Sequence, residues 1–199
     1  MSNSQQMSDT SDGTGEEMQW KVLNSRHIVR DTWVSLRADA CVTPEGLLID
    51  PYYVFEYPDW VNVVPVTSNL EVILIRQYRH GINRVLYEIP SGIIDPNDLS
   101  PEFAARRELL EETGYSSSGN LIPLAKLSAN PATNNNIAHS FLALNVEKTE
   151  EQNLEPTEQI QIAKKTIPEL VEMLDQNMVL QALHASALFY ALKYLKKLN

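Results

Sequence analysis

The chain has 199 residues, 43% of them apolar and 21% charged, with a formal net charge of -10. That length can bury a core without cross-links, and the single cysteine, Cys41, excludes an internal disulfide and a cysteine-only metal site. The acidic balance argues against a nucleic acid partner, whose phosphates most of the surface would repel, but it allows an anionic small molecule if divalent cations bridge the two. No leader-like charged and apolar pair of segments and no apolar run of membrane-spanning length occurs, so a soluble cytoplasmic protein with no membrane contact is expected.

Residues 1–18, "MSNSQQMSDTSDGTGEEM", are polar and have no apolar period, and they read as a disordered tail. From "QWKVLNSRHIVR" to "YYVFEYP" come short β-rich runs broken by the turn signal "TPEGLLIDP". They predict a small antiparallel subdomain over residues 19–58, followed by the main domain over 59–199. There "WVNVVPVT" and "LEVILIRQYR" read as strands joined at "SN", with Pro65 pointing to a bulge or an edge position. "VLYEIPSG" is a third strand, ended by Pro90 and Gly92.

"LSPEFAARRELLEETG" carries helix punctuation at both ends: Ser100 as N-cap, Pro101 in the first turn, Ala105 and Leu109 inward, Gly114 as terminator. "LIPLAKLSA", "IAHSFLALNV" and "IQIAKK" read as strands, with "EEQNLEPTEQ" an acidic loop before the last. "PELVEMLDQN" and "MVLQALHASALFYALKYLKK" are helices. The second predicts a core face of Leu180, Leu183, Ala187, Leu188, Ala191, Leu192 and Leu195. Strands and helices mix without strict alternation, which favours an α+β or mixed-sheet sandwich.

One local feature runs against helix electrostatics. Glu108, Glu111 and Glu112 sit at the C-terminal end of their helix, where an acid loses about 0.3–1 kcal/mol against the macrodipole. Acids at i, i+3 and i+4 converge on one side, so a hard divalent cation could hold them together. A solvated acidic helix end, with Arg107 and Glu111 as an ordinary i,i+4 pair, is the competing account.

The wider stretch "GIIDPNDLSPEFAARRELLEETGY", Gly92 to Tyr115, resembles the Nudix box, G-x5-E-x7-R-E-U-x-E-E-x-G-U. Gly92, Arg107, Glu108, Leu109, Glu111, Glu112, Gly114 and Tyr115 match in order; Asp98 replaces the first glutamate, and Leu99 is one extra residue. "RQYR", "YEIPSG" and "EQIQI" are similar to the ADP-ribose and ADP-sugar pyrophosphatase branch of that family. The resemblance implies a Nudix α/β/α sandwich with a mixed sheet and a small N-terminal antiparallel β subdomain, commonly in a homodimer.

It also implies hydrolysis of a nucleoside diphosphate linked to another moiety, with Mg²⁺ as cofactor and Mn²⁺ as an alternative. Glu108 and Glu112 would be direct ligands, Glu111 shared or supporting, the Ser91 carbonyl and Glu158 further ligands, and Arg107 the residue that orients the helix acids. Arg76, Arg79 and Glu88 are candidates for substrate contacts, each with a plain structural alternative. Two departures stand out. "ANPATNNN" lacks the acid expected after the box, and Pro156 stands where a catalytic base is expected, leaving Glu155 as the nearest substitute. A nucleotide-sugar pyrophosphatase acting on ADP-ribose or an ADP-sugar leads. A GDP-sugar or dinucleotide pyrophosphatase and a non-hydrolytic nucleotide-sugar sensor are the alternatives.

Overall fold

The computed structural model describes residues 15–198. Most of the expected tail, residues 1–14, lies outside the described residues, while Glu16–Met18 form a single 3-10 turn. The chain divides into two compact units between Glu56 and Tyr57.

In the first unit, β1 (Lys21–Arg30), β2 (Ser35–Val42) and β3 (Leu48–Phe55) form an antiparallel sheet in the order β1-β2-β3. Asp31 shapes the first turn, its carboxylate accepting the N–H groups of Trp33 and Val34, both at 2.8 Å. The second turn closes at Gly46, whose φ of 86° lies where only glycine sits without strain. The β-rich reading of this region holds, although β3 begins inside the stretch expected to be turn.

In the second unit a mixed sheet runs in the order β12-β5-β4-β10-β9, with β6 and β7 paired off that path. Its members are β4 (Trp60–Val66), β5 (Glu71–Arg79), β6 (Arg84–Glu88), β7 (Ser91–Ile93), β9 (Ile122–Leu127), β10 (Ala138–Leu144) and β12 (Gln161–Thr166). The short β8 (Tyr115–Ser116) and β11 (Glu147–Lys148) pair separately. Among the described strand pairs, β4 and β10 are parallel and the others antiparallel.

Helices cover both faces. α1 (Pro101–Thr113) buries Ala104, Ala105 and Leu109 against Val61, Val63, Ile73 and Phe141. α2 (Ile167–Asp175) and α3 (Ala182–Tyr194) bury Leu170, Met173, Leu188 and Leu192 against Val64, Val66, Leu74 and Leu142. Alternate residues of β4 therefore serve opposite cores, which is why "VNVVPV" reads as nearly continuous apolar sequence. The expected α+β sandwich is observed. α3 starts later than its sequence implies, so Leu180 precedes it and is 44% exposed rather than part of the core.

β4 and β5 pair at Val66 and Val72 and then diverge. Into the wedge goes the bent run β6–β7: β6 pairs with β5, β7 pairs with β4, and Pro90 lies at the bend. The Val63 N–H donates to the Pro90 carbonyl at 3.0 Å. Pro65, two residues on, turns its missing donor to the same side, where the ladder is already open. An interior strand accommodates this proline because it borders a split, not because it lies at an edge.

Candidate active site

The wedge brings β7 against the C-terminal half of α1. Ser100 starts that helix, its Oγ accepting the Phe103 N–H at 3.1 Å, and Gly114 ends it with a φ of 71°. A Cβ on Gly114 would stand 2.1 Å from the Glu150 carbonyl oxygen, so the position requires glycine on two counts. The helix-end carbonyls are satisfied from a distant segment. Asn153 N–H donates to Glu111 O at 2.9 Å, Gln152 Nε2 to Glu112 O at 2.6 Å, and Thr149 and Glu150 N–H to Gly114 O at 2.9 and 3.1 Å. Those donors blunt the negative helix end on which the acids stand.

Glu112 is 3% exposed, and its Oε2 accepts the Ser91 N–H at 2.9 Å. Burial pushes its carboxyl well above the ordinary range; Glu108 and Glu158 push the same way, outweighing the Ser91 N–H and Arg79. Glu108 is raised to about 7, chiefly by burial, with Glu111 and Glu158 adding to the shift and Arg107 opposing it. Gly92 makes room for Glu108: a Cβ there would lie 2.1 Å from Glu108 Oε1. Glu111 is the more exposed of the three helix acids.

Arg107 ties the helix to the loop before it. Its Nε and Nη2 hold Asp98 at 3.2 and 2.9 Å, its Nη1 reaches Glu108 at 2.8 Å and Glu111 at 3.1 Å, and Nη2 also donates to Ile93 O at 3.1 Å. The Asp98 carboxyl is lowered, first by Arg107, and it also accepts the Asp95 N–H at 2.9 Å. The shorter acid thus reaches the helix arginine despite the extra Leu99.

On β5, Arg76 and Arg79 fall on opposite faces. The Arg76 guanidinium lies 5.3 Å from the centre of the Tyr87 ring. Arg79 holds Glu88 with two hydrogen bonds, Nε at 2.9 Å and Nη2 at 2.6 Å, and Glu88 is completely buried. Arg79, still 43% exposed, feels the charges of Glu112 and Glu158. Glu158 is half-buried, its carboxylate accepting the Glu155 N–H at 3.0 Å; Glu155 itself is exposed.

Sequence reasoning missed three features: the 149–153 cap, the Arg79–Glu88 pair, and His184 of α3. His184 is 4% exposed, and its Nδ1 accepts the Ile89 N–H at 3.4 Å. A signal for it existed, since 184, 188 and 191 keep the helical step of the inward face.

Among the described residues no three His, Cys, Asp or Glu side chains already close around one point. The donor set nevertheless fits a hard divalent cation. It is all oxygen, and the half-buried Glu108 and buried Glu112 carboxylates are held above their normal pKa by burial and then by neighbouring acids, Glu111 and Glu158 at the first and Glu108 and Glu158 at the second, the condition an added cation relieves.

The Nudix domain matches residues 56–181, and the nucleoside diphosphate sugar hydrolase N-terminal domain matches residues 20–55. The chain is 30% identical over 144 residues to the ADP-ribose pyrophosphatase of Bacillus subtilis (strain 168), covering 72% of this chain and 75% of that one. It is 33% identical over 138 residues to the ADP compounds hydrolase NudE of Escherichia coli (strain K12), covering 68% and 71%. A crystal structure of an ADP compounds hydrolase superposes with a TM-score of 0.78 at 25% identity, covering 89% of this chain and 95% of the other. The chain belongs to the Nudix hydrolase family.

Proposed function

We propose that the protein hydrolyses the pyrophosphate of an ADP-linked compound, ADP-ribose or an ADP-sugar, to AMP and a sugar phosphate. The observation that carries this reading is the pair of carboxylates, half-buried Glu108 and buried Glu112, packed against Ser91 and Gly92 with too little positive charge to match them. Relatives named for ADP-ribose and ADP compounds support the substrate class.

Glu108, Glu112 and Glu158 would hold Mg²⁺ or Mn²⁺, with Glu111 and the Ser91 carbonyl in support. Such an ion, when bound, neutralises phosphate oxygens and lowers the pKa of a coordinated water. The chain's own groups do the rest. Arg79, held by Glu88, offers a fixed cation to the pyrophosphate. Arg107 fixes the helix acids to the loop through Asp98 and takes no ligand role, because a guanidinium has no lone pair to give. Glu155, on the exposed turn before Glu158, is the candidate to take the proton from water as its oxygen bonds to one phosphorus. The bridging oxygen then leaves with the other phosphate. Arg76, on the opposite face of β5, is assigned to Tyr87 rather than to the phosphates.

We also propose a homodimer in the cytoplasm, in which the first unit contributes the contact. Val22 (52% exposed), Leu23 (54%) and Tyr53 (47%) lie in its strands β1 and β3. Sedimentation at micromolar concentration giving only monomer overturns that part.

The deciding test is incubation of the protein with ADP-ribose, ADP-sugars, GDP-sugars and dinucleotides, with and without Mg²⁺, identifying the products. AMP released only with metal is expected. Release of GMP in preference to AMP assigns the alternative substrate class, and binding without any product makes the protein a sensor.

A further inference from the structure

Glu88 carries a charge with no exposed surface, so it must be matched in place. Arg79 does this through both carboxylate oxygens, which fixes the guanidinium in two dimensions. Behind the pair, on α3, stands His184. The next residue after Glu88, Ile89, donates its N–H to His184 Nδ1 at 3.4 Å, and the same nitrogen is 3.9 Å from Glu88 Oε2. Because Nδ1 accepts from a backbone donor, the ring proton sits on Nε2. No imidazole N–H then competes with Arg79 for Glu88.

The run from Glu88 to Ser91 is held at three points: Ile89 by His184, the Pro90 carbonyl by Val63 N–H, and Ser91 N–H by Glu112. Two of these anchors lie in the sheet and the site helix. The third reaches the run from a helix on the opposite face, 95 residues along the chain.

We infer that His184 is a positioning residue: it fixes Ile89 and, through it, the Glu88 carboxylate, and so sets where Arg79 presents its charge. The inference rests on the proposed pyrophosphate reading for its kinetic consequence. Burial lowers the His184 pKa to about 4, which keeps the ring neutral near pH 7 as the geometry requires.

The test uses the full chain with His184→Leu, which removes the acceptor, and His184→Asn, whose amide oxygen stands near the place of Nδ1. His184→Met replaces the leucine variant if that one does not fold. Each is made in the wild type and in Arg79→Lys, which cannot grip Glu88 bidentately. Expected is a roughly tenfold rise in KM with a smaller change in kcat for His184→Leu, largely recovered in His184→Asn. In the Arg79→Lys background the same change has less than about a twofold effect. Equal effects in both backgrounds, as a purely structural histidine gives, overturn the inference.

A second readout needs no substrate. The Arg79 Nε–H resonance, identified by its loss in Arg79→Lys, should exchange with water much faster in His184→Leu than in the wild type or His184→Asn. Unchanged exchange overturns the inference. Absence of hydrolysis in the wild type overturns the proposed function, and the exchange result still decides the role of His184.

Discussion

Two carboxylate clusters in this chain use the same residue types to opposite ends. In the first unit, Glu56 Oε2 is paired with His27 Nε2 and Ser35 Oγ, each at 2.8 Å, and Oε1 accepts Arg37 Nη1 at 2.7 Å. Arg37 Nε meets Asp39 at 2.9 and 3.0 Å. Every acid there has donors, and the Glu56 carboxyl is lowered to about 2, His27 and then Ser35 contributing most. In the second unit Glu108 rises to about 7 and Glu112 well above its ordinary value. Arg107 is shared among Asp98, Glu108 and Glu111, so it cannot match them all. The first cluster contributes to the fold on its own. The second leaves a charge deficit for something brought from outside, and that deficit marks a site more surely than acidity does.

The strongest way to break the contrast is Glu112→Gln. Loss of a group merely supporting a metal ligand costs about 10–100-fold, so loss of a direct ligand should lower kcat by about 100-fold or more. Stability in chelator should rise. For an acid whose folded pKa is raised, the penalty is absent below its unfolded value and grows as pH climbs through the folded one. For Glu108 that window runs from 4.5 to about 7. Calorimetry with EDTA should therefore find metal-free wild type losing stability between those pH values, and Glu112→Gln melting higher than wild type at pH 7. Near-wild-type turnover of the variant would remove Glu112 from the proposed metal site.

Gly92→Ala comes next. The new Cβ meets the far end of a flexible side chain, so Glu108 turns away while the fold survives. We expect a fall in kcat of about 10-fold or more and a melting change of only about 2–4 °C, as for a loss near 1 kcal/mol in a chain of this size. A fall in melting temperature well beyond that would show that Gly92 serves the backbone, and unchanged activity would show that Glu108 does not depend on it.

The box on α1 was legible because each of its residues acts locally: Ser100 caps, Gly114 terminates, and Glu108 and Glu112 stand one turn apart. The wedge was only half legible. Pro65 and Pro90 announced irregularity, but whether β4 lay at an edge or beside a split depended on where β6 and β7 insert, a matter of long-range pairing. The cap from Gln152 and Asn153 and the histidine behind Glu88 were hidden for the same reason, since their partners lie 40, 42 and 95 residues away. The sequence reading of Leu180 as core failed because Gln181 accepts the Leu183 N–H at 2.6 Å, and α3 begins after it.

The acidic loop separates two roles that the sequence could only name. Glu158 is half-buried and its charge is felt at Glu108 and Glu112, so Glu158→Gln should raise the Mg²⁺ concentration needed for half-maximal rate by about 10-fold. Glu155 is exposed, and the role proposed for it is that of a base alone. Its loss should lower kcat by at least about tenfold, at the floor of the usual range for proton transfer, with KM little changed. Titrations of kcat against Mg²⁺ for both variants check the division. Wild-type curves for both would leave this loop with no chemistry.

The smallest effect sharpens the contrast from the matched side. Glu56 accepts from three donors, and losing them should cost about 1 kcal/mol, or about 2–4 °C in melting temperature. The sign with pH is the reverse of that at the site. The folded pKa of Glu56 is depressed from 4.5 to about 2, so its contribution is complete above 4.5 and disappears as pH falls through 2. The melting difference between wild type and Glu56→Gln should therefore be full at pH 7, shrink below 4.5 and be gone near 2, and Mg²⁺ should not alter it. A difference that grew on acidification, or responded to metal, would mean that the two clusters are not of different kinds.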